Sequence, residues 1–306
     1  MAPVVLLDRV SVTYARQPAL RDVSVAFPSG AVGLLGRNGA GKSTLLKALL
    51  GFVHPDAGTM QVLGFDVRRS PQAIRARIGY MPENDAQIPG INAVTFVAYC
   101  GELSGLPRAD AMQRAHEVLY YVGLGEARYR NLDTYSTGMK QRIKLAQALV
   151  HDPELLFLDE PTNGMDPRGR DEMLALIRDV AHQKGINLIL SSHLLPDVEE
   201  TCDHVVVLDK GAVAAEGPIA TLKGHSGRVF EMRVKGDAVA FRAALVAAGI
   251  EQADSTSDMM RLFVPESYTP QALFQLAAQH QVQVRHLRSG APTLEDVFAS
   301  VVSHDA

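Results

Sequence analysis

A glycine-rich segment, Gly36–Thr44, constrains this chain more than any other part of its sequence. The segment GRNGAGKST follows a short apolar run at 31–35 and precedes a run at 45–50 that is typical of a helix. Glycines at these positions allow successive backbone N–H groups to turn inward around an anion, where a Cβ atom would obstruct them. The N-terminus of the following helix adds its positive end. A strand, a glycine loop and a helix in this order predict a phosphate-binding loop.

Two side chains of this segment, called the phosphate loop below, have distinct predicted tasks. Lys42 can reach the outer phosphates of a nucleotide, and the Ser43 hydroxyl can ligate Mg²⁺. A glycine-rich turn with an incidental lysine is the alternative, and the flanking strand and helix argue against it. The other predicted contacts to the nucleotide are Gly36, Asn38, Gly39, Ala40, Gly41 and Thr44.

Two strands are predicted before the phosphate loop, at Val4–Tyr14 and Val23–Phe27, from alternating apolar and polar residues. We expect them to be antiparallel and to cover the base of a nucleotide. Tyr14 ends the first strand and is the candidate for stacking on adenine. The alternative is a half-buried strand tyrosine without a ligand.

A second strong feature is the acidic pair that follows the apolar run at 155–158. This run predicts a strand buried on both faces, with the pair at the end where open α/β sheets bind their ligands. Burying adjacent carboxylates is costly without a cation or a proton. Asp159 is therefore the predicted Mg²⁺ ligand, and Glu160 is predicted to orient or deprotonate an attacking water. A strand-end turn with solvated acids is the alternative.

Two weaker features lie on either side of the acidic pair. Ser136 and Gly138 begin a predicted helix, where they form either a second anion site or an ordinary helix cap. His193 follows a predicted strand at 187–190. An isolated histidine usually has a structural role, whereas one at a strand end of the same sheet can contact a γ-phosphate.

The rest of the chain predicts its domain organisation. Two helices, Val94–Leu103 and Ala111–Val122, have no strand between them and predict a helical insertion at about 86–150. The character changes after Lys223, where alternating strand and helix patterns predict a small α+β domain at 224–306 and leave 1–223 as the first domain. A strand near 250–253 would give that small domain a split β-α-β arrangement.

Composition excludes several classes of protein. The net charge of −4 over 306 residues provides no general attraction to nucleic acid or to an anionic membrane, so no nucleic-acid partner is expected. Cys100 and Cys202 form no metal-binding pattern and indicate a reducing cytosol. No apolar run is long enough to span a bilayer, so we expect any membrane role to come through a partner.

With these segments in this order, the chain resembles the ABC ATPase family from about 4 to 222. The resemblance implies an α/β fold of the P-loop NTPase class, with a RecA-like core, an antiparallel β subdomain and the helical insertion, followed by the small α+β domain. The family motifs correspond to Gly36–Thr44 (Walker A), Leu155–Glu160 (Walker B with its glutamate), Tyr135–Met139 (signature), Gly164–Asp166 (D-loop) and His193 (switch histidine).

The resemblance also implies ligands, roles and partners. ATP and Mg²⁺ would be the cofactors, and Glu160 and His193 the catalytic residues. Two copies would pack head to tail, so that Ser136 and Gly138 face the nucleotide held by the other copy, and Asp166 would be a further nucleotide contact. Glu83 stands where the family often has a glutamine ligand of Mg²⁺, so we predict it as a further metal ligand.

The leading hypothesis is therefore an ATPase subunit that energises an exporter through a separate transmembrane permease, contacted around 83–91. We expect this subunit to lie in the cytoplasm, peripherally on the inner face of the membrane. The alternative is a cytosolic ABC ATPase that acts on DNA or ribosomes. ABC ATPases that act on chromosomes carry a long coiled coil between the Walker A motif and the signature. Here Ser136 follows Lys42 by 136 − 42 = 94 positions, and the sequence between them has no heptad run, which argues against that class. A regulator without catalysis is disfavoured by Glu160 and His193.

Overall fold

The computed structural model describes residues 2–15, 17–85, 87–224, 228–253, 259–264, 268–290 and 293–295. Contacts divide the chain into two compact units, Met1–Gly217 and Pro218–Ala306. The strands of the first unit are β1 (Val5–Tyr14), β2 (Gln17–Phe27), β3 (Ala31–Leu35), β4 (Ala57–Val62), β5 (Phe65–Asp66), β6 (Ile78–Met81), β7 (Leu155–Asp159), β8 (Asn187–Ser192), β9 (His204–Asp209) and β10 (Ala212–Pro218). Its helices are α1 (Lys42–Leu49), α2 (Pro71–Arg75), α3 (Ala93–Leu103), α4 (Arg108–Tyr121), α5 (Thr137–Leu149), α6 (Pro167–Arg178) and α7 (Leu195–Thr201).

The central sheet of this unit has the strand order β10-β9-β3-β8-β7-β6. Strand β3 pairs in parallel with β8 and β9, and β7 pairs in parallel with β6 and β8. Every residue of β3 and β7 is buried, as expected for parallel strands covered on both faces. The buried strand predicted at 155–158 and the strand predicted before the phosphate loop are confirmed.

A smaller sheet with the order β2-β1-β4-β5 lies in the same unit. Strands β1 and β2 are antiparallel, as predicted for the two strands that precede the phosphate loop. The sequence predicts a single short strand at Met60–Phe65, and this prediction is wrong, because the chain turns between β4 and β5. Leu63 and Gly64 have φ angles of 51° and 79° there, and an extended strand has negative φ.

The helical insertion is built from α3 and α4, which pack against each other and against α5. Asn92 caps α3, since its Oδ1 accepts a hydrogen bond from the Thr95 N–H at 2.9 Å. Asp110, for which the sequence predicts either a cap or a first-turn position, lies in the first turn of α4. The sequence predicts one long helix at 168–184. In the structure, α6 continues as a π-helical segment at Asp179–Gln183, so the hydrogen-bond pattern changes near the end of that range.

The second unit begins with α8 (Ile219–Gly224) and continues with β11 (Arg228–Lys235), α9 (Ala238–Ala247), β12 (Glu251–Ala253), β13 (Met259–Val264), α10 (Pro270–Gln279) and β14 (Gln283–Gly290). Its antiparallel sheet has the order β12-β13-β11-β14, which is the split β-α-β arrangement. Its core contains Met232, Phe241, Leu245, Leu262 and Leu273. The sequence also predicts a last helix that begins with Thr293–Phe298, and half of this segment, 296–298, lies outside the described residues.

A helix that crosses a bilayer needs about 20 predominantly apolar residues. Within the described ranges, none of the helices is both long enough and apolar enough to cross a membrane.

Candidate active site

The register of the central sheet brings four loops together. The C-terminal ends of β3, β8, β7 and β6 lie side by side, because these residue pairs are in register: Leu35 with Ser192, Asp159 with Ser191, and Met81 with Leu158. The chain continues from these ends into the phosphate loop, the acidic pair, His193 and Glu83. Open α/β sheets bind their ligands at such an edge.

Two glycines of the phosphate loop permit its tight path. Gly41 precedes α1 with a φ of 109°, and a Cβ atom there would lie 2.8 Å from the Ala19 carbonyl oxygen. A Cβ atom at Gly36 would lie 2.6 Å from the Leu208 carbonyl oxygen. Only glycine fits both positions without a shift of the backbone. The exposed tip of the loop consists of Arg37, Asn38 and Gly39.

Lys42 is buried inside this loop and is 7% exposed. Its Nζ donates a hydrogen bond to the Gly36 carbonyl oxygen at 2.6 Å. Burial lowers the pKa of Lys42, while the negative charges of Glu160, Asp159 and Glu83 oppose that change. Ala40 is buried, and Ser43 and Thr44 are partly buried beside Lys42. The ammonium group is thus held within the loop that is predicted to receive phosphates.

Asp159 is the buried acid of the site and is 4% exposed. Burial raises its pKa, while the neighbouring Ser191 hydroxyl opposes the rise, Glu83 adds to it and Lys42 also opposes it. Although Ser191 Oγ is close, neither this atom nor Asp159 Oδ1 has a hydrogen-bond partner among the residues that the structure describes. A buried carboxylate oxygen without a donor is costly unless a cation satisfies it.

The oxygen donors at this edge fit Mg²⁺. Mg²⁺ prefers one or two carboxylates together with phosphates and water, and hydroxyl and carboxylate oxygens are available from Ser43 and Asp159. In the described part of the chain, no group of three or more His, Cys, Asp or Glu side chains is arranged to hold a metal ion. The donor set therefore suits a cation shared with a phosphate better than a closed protein site.

Glu160 follows Asp159 with a left-handed backbone, at a φ of 49°. Its N–H donates to the Ser191 carbonyl oxygen at 2.9 Å, and its Oε2 lies 2.8 Å from His193 Nδ1. Burial raises the pKa of Glu160, while His193 and Lys42 oppose the rise. The Glu160 side chain is 10% exposed and that of His193 is 45% exposed. This geometry joins a buried acid with a raised pKa to a histidine that remains open to solvent.

Ser136 and Gly138 belong to a different part of the unit. Ser136 caps α5, and its Oγ accepts the Met139 N–H at 3.4 Å. A Cβ atom at Gly138 would lie 3.5 Å from Met165 Cε, which places this segment beside the D-loop. Within the described residues, no hydrogen bond or ion pair joins Ser136 or Gly138 to the phosphate loop. The chain brings together Lys42, Asp159, Glu160 and His193, and it leaves Ser136 and Gly138 out of that group.

Three other predicted residues are solvent-accessible. Tyr14 ends β1 opposite Gln17, and its side chain is 45% exposed, so one face can receive a ligand. Glu83 is exposed in the loop after β6, and its charge acts on both Lys42 and Asp159. Asp166 is an exposed residue at the N-cap of α6 without a side-chain cap bond.

Two polar residues near the site received no role from the sequence. Ser191 interrupts the apolar run of β8 beside Asp159, and a polar residue at the end of a buried strand was the signal that could have identified it. Asp197 is 1% exposed, accepts a hydrogen bond from Thr162 Oγ1 at 2.5 Å and pairs with Arg170, whose Nε lies 2.7 Å away. Nothing in the spacing of these three residues indicated that they meet.

The sequence of this chain is similar to those of known proteins. Residues 20–163 match the ABC transporter family, and residues 217–302 match the C-terminal domain described as ATP-binding protein DrrA1-3-like. The chain is 34% identical to the daunorubicin/doxorubicin resistance ATP-binding protein DrrA of Streptomyces peucetius, over 94% of this chain and 89% of that protein. The chain belongs to the ATP-binding proteins of ABC transporters.

Other relatives of this ABC ATPase also match over most of their length. The linearmycin resistance ATP-binding protein LnrL of Bacillus subtilis is 30% identical, over 96% of each chain. The bacitracin transport ATP-binding protein BcrA of Bacillus licheniformis is 33% identical, over 76% of each chain. These relatives support a transporter over an ATPase that acts on DNA or ribosomes.

Solved structures show the same fold. An ATP-binding subunit of an ABC transporter has a TM-score of 0.65 at 28% identity, over 72% of this chain and 92% of that one. The cassette MJ0796, solved as a dimer after hydrolysis with ADP and phosphate, also has a TM-score of 0.65, at 21% identity over 70% of this chain and 98% of that one. The predicted P-loop NTPase fold is confirmed. As a member of its family, the ABC ATPase binds and hydrolyses ATP, and such cassettes form dimers and work with permease components.

Proposed function

We propose that this ABC ATPase powers an exporter, with two copies packed head to tail around two ATP molecules and with a separate transmembrane permease that carries the substrate. The observation that carries the proposal is the division of the site within one chain. Lys42, Asp159, Glu160 and His193 meet at one sheet edge, while Ser136 lies elsewhere. In this arrangement the subunit lies in the cytoplasm, on the inner face of the membrane, where the permease retains it.

Binding depends first on the phosphate loop. The inward N–H groups and Lys42 bind the β- and γ-phosphates, and Lys42 exchanges its contact with the Gly36 carbonyl for the phosphate oxygens. Ser43, Asp159 and Glu83 would hold Mg²⁺. When bound, Mg²⁺ would neutralise negative charge on the phosphates. Tyr14 stacks on the adenine ring.

Hydrolysis depends on the pair formed by Glu160 and His193. The raised pKa of Glu160 makes its carboxylate a better proton acceptor for the attacking water. His193 holds that carboxylate through its Nδ1 contact and presents the rest of its ring, which is solvent-accessible, toward the γ-phosphate. Water thus meets a base that is oriented before the nucleotide arrives.

The second copy completes each site. The partner's Ser136, Gly138 and Asp166 approach the γ-phosphate that Lys42 holds, and the exposed helix N-terminus at Ser136 supplies N–H donors. ATP then joins the two chains, and loss of the γ-phosphate removes the contacts that favour the closed dimer. This differential contact converts hydrolysis into motion.

The transported compound is proposed from the relatives alone. Their names specify resistance to daunorubicin, doxorubicin and linearmycin, and transport of bacitracin. We propose that the permease partner of this chain likewise moves a compound of low molecular mass outward. The contact surface for the permease lies around 83–91, where Ile88 is an exposed apolar side chain at 41%.

The test combines the membrane partner with the trapped dimer. The chain is co-expressed with the candidate permease encoded beside it, and the complex is purified and reconstituted in vesicles. We expect co-purification, ATP-dependent transport, and a stable ATP-bound dimer for Glu160→Gln. A chain that stays monomeric with ATP as Glu160→Gln and is never retained by the permease would contradict the proposal.

A further inference from the structure

A buried lysine outside the nucleotide site has no role in the function described above. Lys144 lies on α5, and its side chain is 1% exposed. Burial lowers the pKa of Lys144, while the charge of Asp85 most strongly opposes that change. A buried ammonium group is costly unless hydrogen bonds and charges satisfy it. The contacts that satisfy it therefore show what this lysine does.

Those contacts lie on the loop that follows β6. Lys144 Nζ donates hydrogen bonds to the carbonyl oxygens of Pro82, at 3.0 Å, and Glu83, at 2.8 Å. Asp85 Oδ1 lies 3.7 Å from the same nitrogen. The two carbonyl oxygens accept from two of the three N–H donors of the ammonium group, and Asp85 adds an ion pair. Since these two carbonyl groups are consecutive along the backbone, Lys144 fixes the path of the main chain at the position of Glu83.

This main-chain path determines where the Glu83 carboxylate lies. The loop begins directly after Met81, which is in register with Leu158, the residue before Asp159. Glu83 is close enough for its charge to act on the pKa values of Lys42 and Asp159. A shift of the 82–83 peptide would move this carboxylate relative to the predicted metal position.

The other end of the connection is the signature segment. Helix α5 begins after its cap Ser136, and Lys144 follows Ser136 by 144 − 136 = 8 residues. At 1.5 Å per residue, the helix spans about 12 Å between the two positions. An α-helix of this length transmits displacement as a rigid element, so a movement of Ser136 carries Lys144 and the carbonyl groups it holds.

We propose that Lys144 is a positioning residue that ties the Glu83 loop to the signature helix α5. Through this tie, the position of Glu83 beside the predicted metal ligands depends on the position of the signature segment. The proposal deepens the function proposed above, since it rests on Glu83 as a ligand near Mg²⁺ and on the signature segment facing the second copy.

The test replaces Lys144 by a side chain of similar length that lacks donors. Lys144→Met is compared with Lys140→Met, which removes only the exposed ion pair of Lys140 Nζ with Asp85 Oδ2 at 3.2 Å. Amide hydrogen exchange of residues 83–85 without nucleotide reports the tie itself, and we expect it to be about tenfold faster in Lys144→Met. We expect Lys140→Met to remain within about twofold of the parent.

A second measurement separates positioning from a purely structural role. We expect Lys144→Met to raise the Mg²⁺ concentration for half-maximal ATP hydrolysis about fivefold, with ATP binding in the absence of Mg²⁺ unchanged. In the double variant with Glu83→Gln, the Mg²⁺ shift should equal that of Glu83→Gln alone, because both changes act through the same carboxylate.

Each outcome decides the matter. Unchanged loop exchange in Lys144→Met, additive Mg²⁺ shifts, or a lower melting temperature with unchanged Mg²⁺ dependence and unchanged exchange would overturn the proposal. If Glu83→Gln itself leaves the Mg²⁺ dependence unchanged, the ligand role of Glu83 fails, and faster loop exchange still supports the tie. Should Lys144→Met fail to fold, Lys144→Gln, which retains one amide donor group, provides the same comparisons.

Discussion

The two regions predicted to contact ATP differ in how much of their surroundings one chain supplies. Around the phosphate loop, the side chains already engage one another, with Lys42 on the Gly36 carbonyl and His193 on Glu160. At the signature segment, Ser136 caps its own helix, and Gly138 lies beside Met165 of the D-loop. The first region has buried charges, while the second presents an exposed helix N-terminus.

This difference shows how two copies of one sequence can form the proposed ATP-dependent switch. The buried region carries the cost of desolvated charge, visible in the raised pKa values of Asp159 and Glu160 and the lowered pKa of Lys42. The exposed region carries no such cost, and in the proposed head-to-tail dimer it would gain its contacts when the second copy arrives. The proposal therefore assigns the preparation of binding to one chain and the completion of the site to association.

The largest expected effect comes from the buried region. Glu160→Gln removes the proton acceptor but keeps the shape and the contact with His193, so turnover should fall about 1,000-fold with ATP affinity nearly unchanged. Steady-state ATPase assays and nucleotide binding by fluorescence measure the two quantities. Glu102→Gln, at an exposed glutamate of α3, is the matched control and should retain full turnover. Equal losses of turnover in both variants would show that Glu160 is not the proton acceptor.

Mixing two inactive chains tests whether the two regions act across chains. Lys42→Ala removes a phosphate contact, and Gly138→Asp places a negative charge opposite the γ-phosphate, so each variant alone should lose about 100-fold in turnover. A mixed dimer retains one site with an intact phosphate loop and an intact signature segment, so the mixture should regain at least about a tenth of parental activity.

The control for this mixture is Gly138→Ala, since a Cβ atom at that position fits 3.5 Å from Met165 Cε. This variant should stay within about threefold of the parent because it adds no charge. A mixture that remains as inactive as its components would show that the phosphate loop and the signature segment of one chain act on the same nucleotide. The proposed division of the site between two chains would then be wrong.

A smaller effect concerns the metal. Asp159→Asn keeps the volume of the side chain but removes the charge beside the unpartnered oxygen, so the Mg²⁺ concentration for half-maximal turnover should rise about tenfold. Asp152→Asn is the control, because the Asp152 side chain is 84% exposed. Magnesium titrations of ATPase activity at saturating ATP measure both, and equal titration curves for the parent and Asp159→Asn would exclude Asp159 as a ligand.

The smallest effect is on stability. A carboxyl group with a raised folded-state pKa contributes stability that is present below its unfolded pKa of about 4.3 and is lost as the pH rises through the folded value. Glu160→Gln has no carboxyl group there and does not lose this stability as the pH rises. Without nucleotide, its melting temperature at pH 7 should therefore be about 2 °C higher than that of the parent, and the difference should become smaller toward pH 5. Thermal unfolding at the two pH values provides the comparison, and a parent that is more stable than the variant at pH 7 would contradict it.

The same pKa direction predicts the acid limb of activity. Because burial raises the pKa of Glu160, this base is protonated at a higher pH than an ordinary glutamate, whose pKa is about 4.3. As the pH is lowered, turnover should therefore begin to fall while the pH is still above that value. A pH profile of turnover at saturating Mg²⁺ and ATP measures this limb. A decline confined to lower pH would show that burial does not govern the base in the working complex.

Much of the fold and of the site followed from local patterns. The apolar run of β7 predicted a buried strand, because a strand covered on both faces consists of apolar residues. The phosphate loop was predicted from its glycines, and in the structure a Cβ atom at Gly36 or Gly41 would lie only 2.6 or 2.8 Å from a backbone carbonyl oxygen. The turn at Leu63 was missed, since leucine carries no turn preference and its positive φ is imposed by the pairing of β4 with β5.

The missed polar residues have a common cause. Ser191, Asp197 and Lys144 meet partners that are distant in sequence, as in the pair of Lys144 with Glu83, which are 61 positions apart. Periodicity and spacing report what neighbours along the chain do, and they contain no record of a contact between separate elements. Such contacts had to come from the packed structure.

The sequence alone therefore determined the phosphate loop, the acidic pair and the order of strands and helices, because each depends on residues that are adjacent or regularly spaced. Only the tertiary structure decided that Asp159 keeps an oxygen without a partner, that His193 contacts Glu160, and that Lys144 holds the Glu83 loop. The physical reason is that these properties depend on which strand ends become neighbours, and strand register is set by the folded sheet as a whole. The phosphate loop, the most constrained part of the sequence, gains its chemistry from residues that the sheet brings to it.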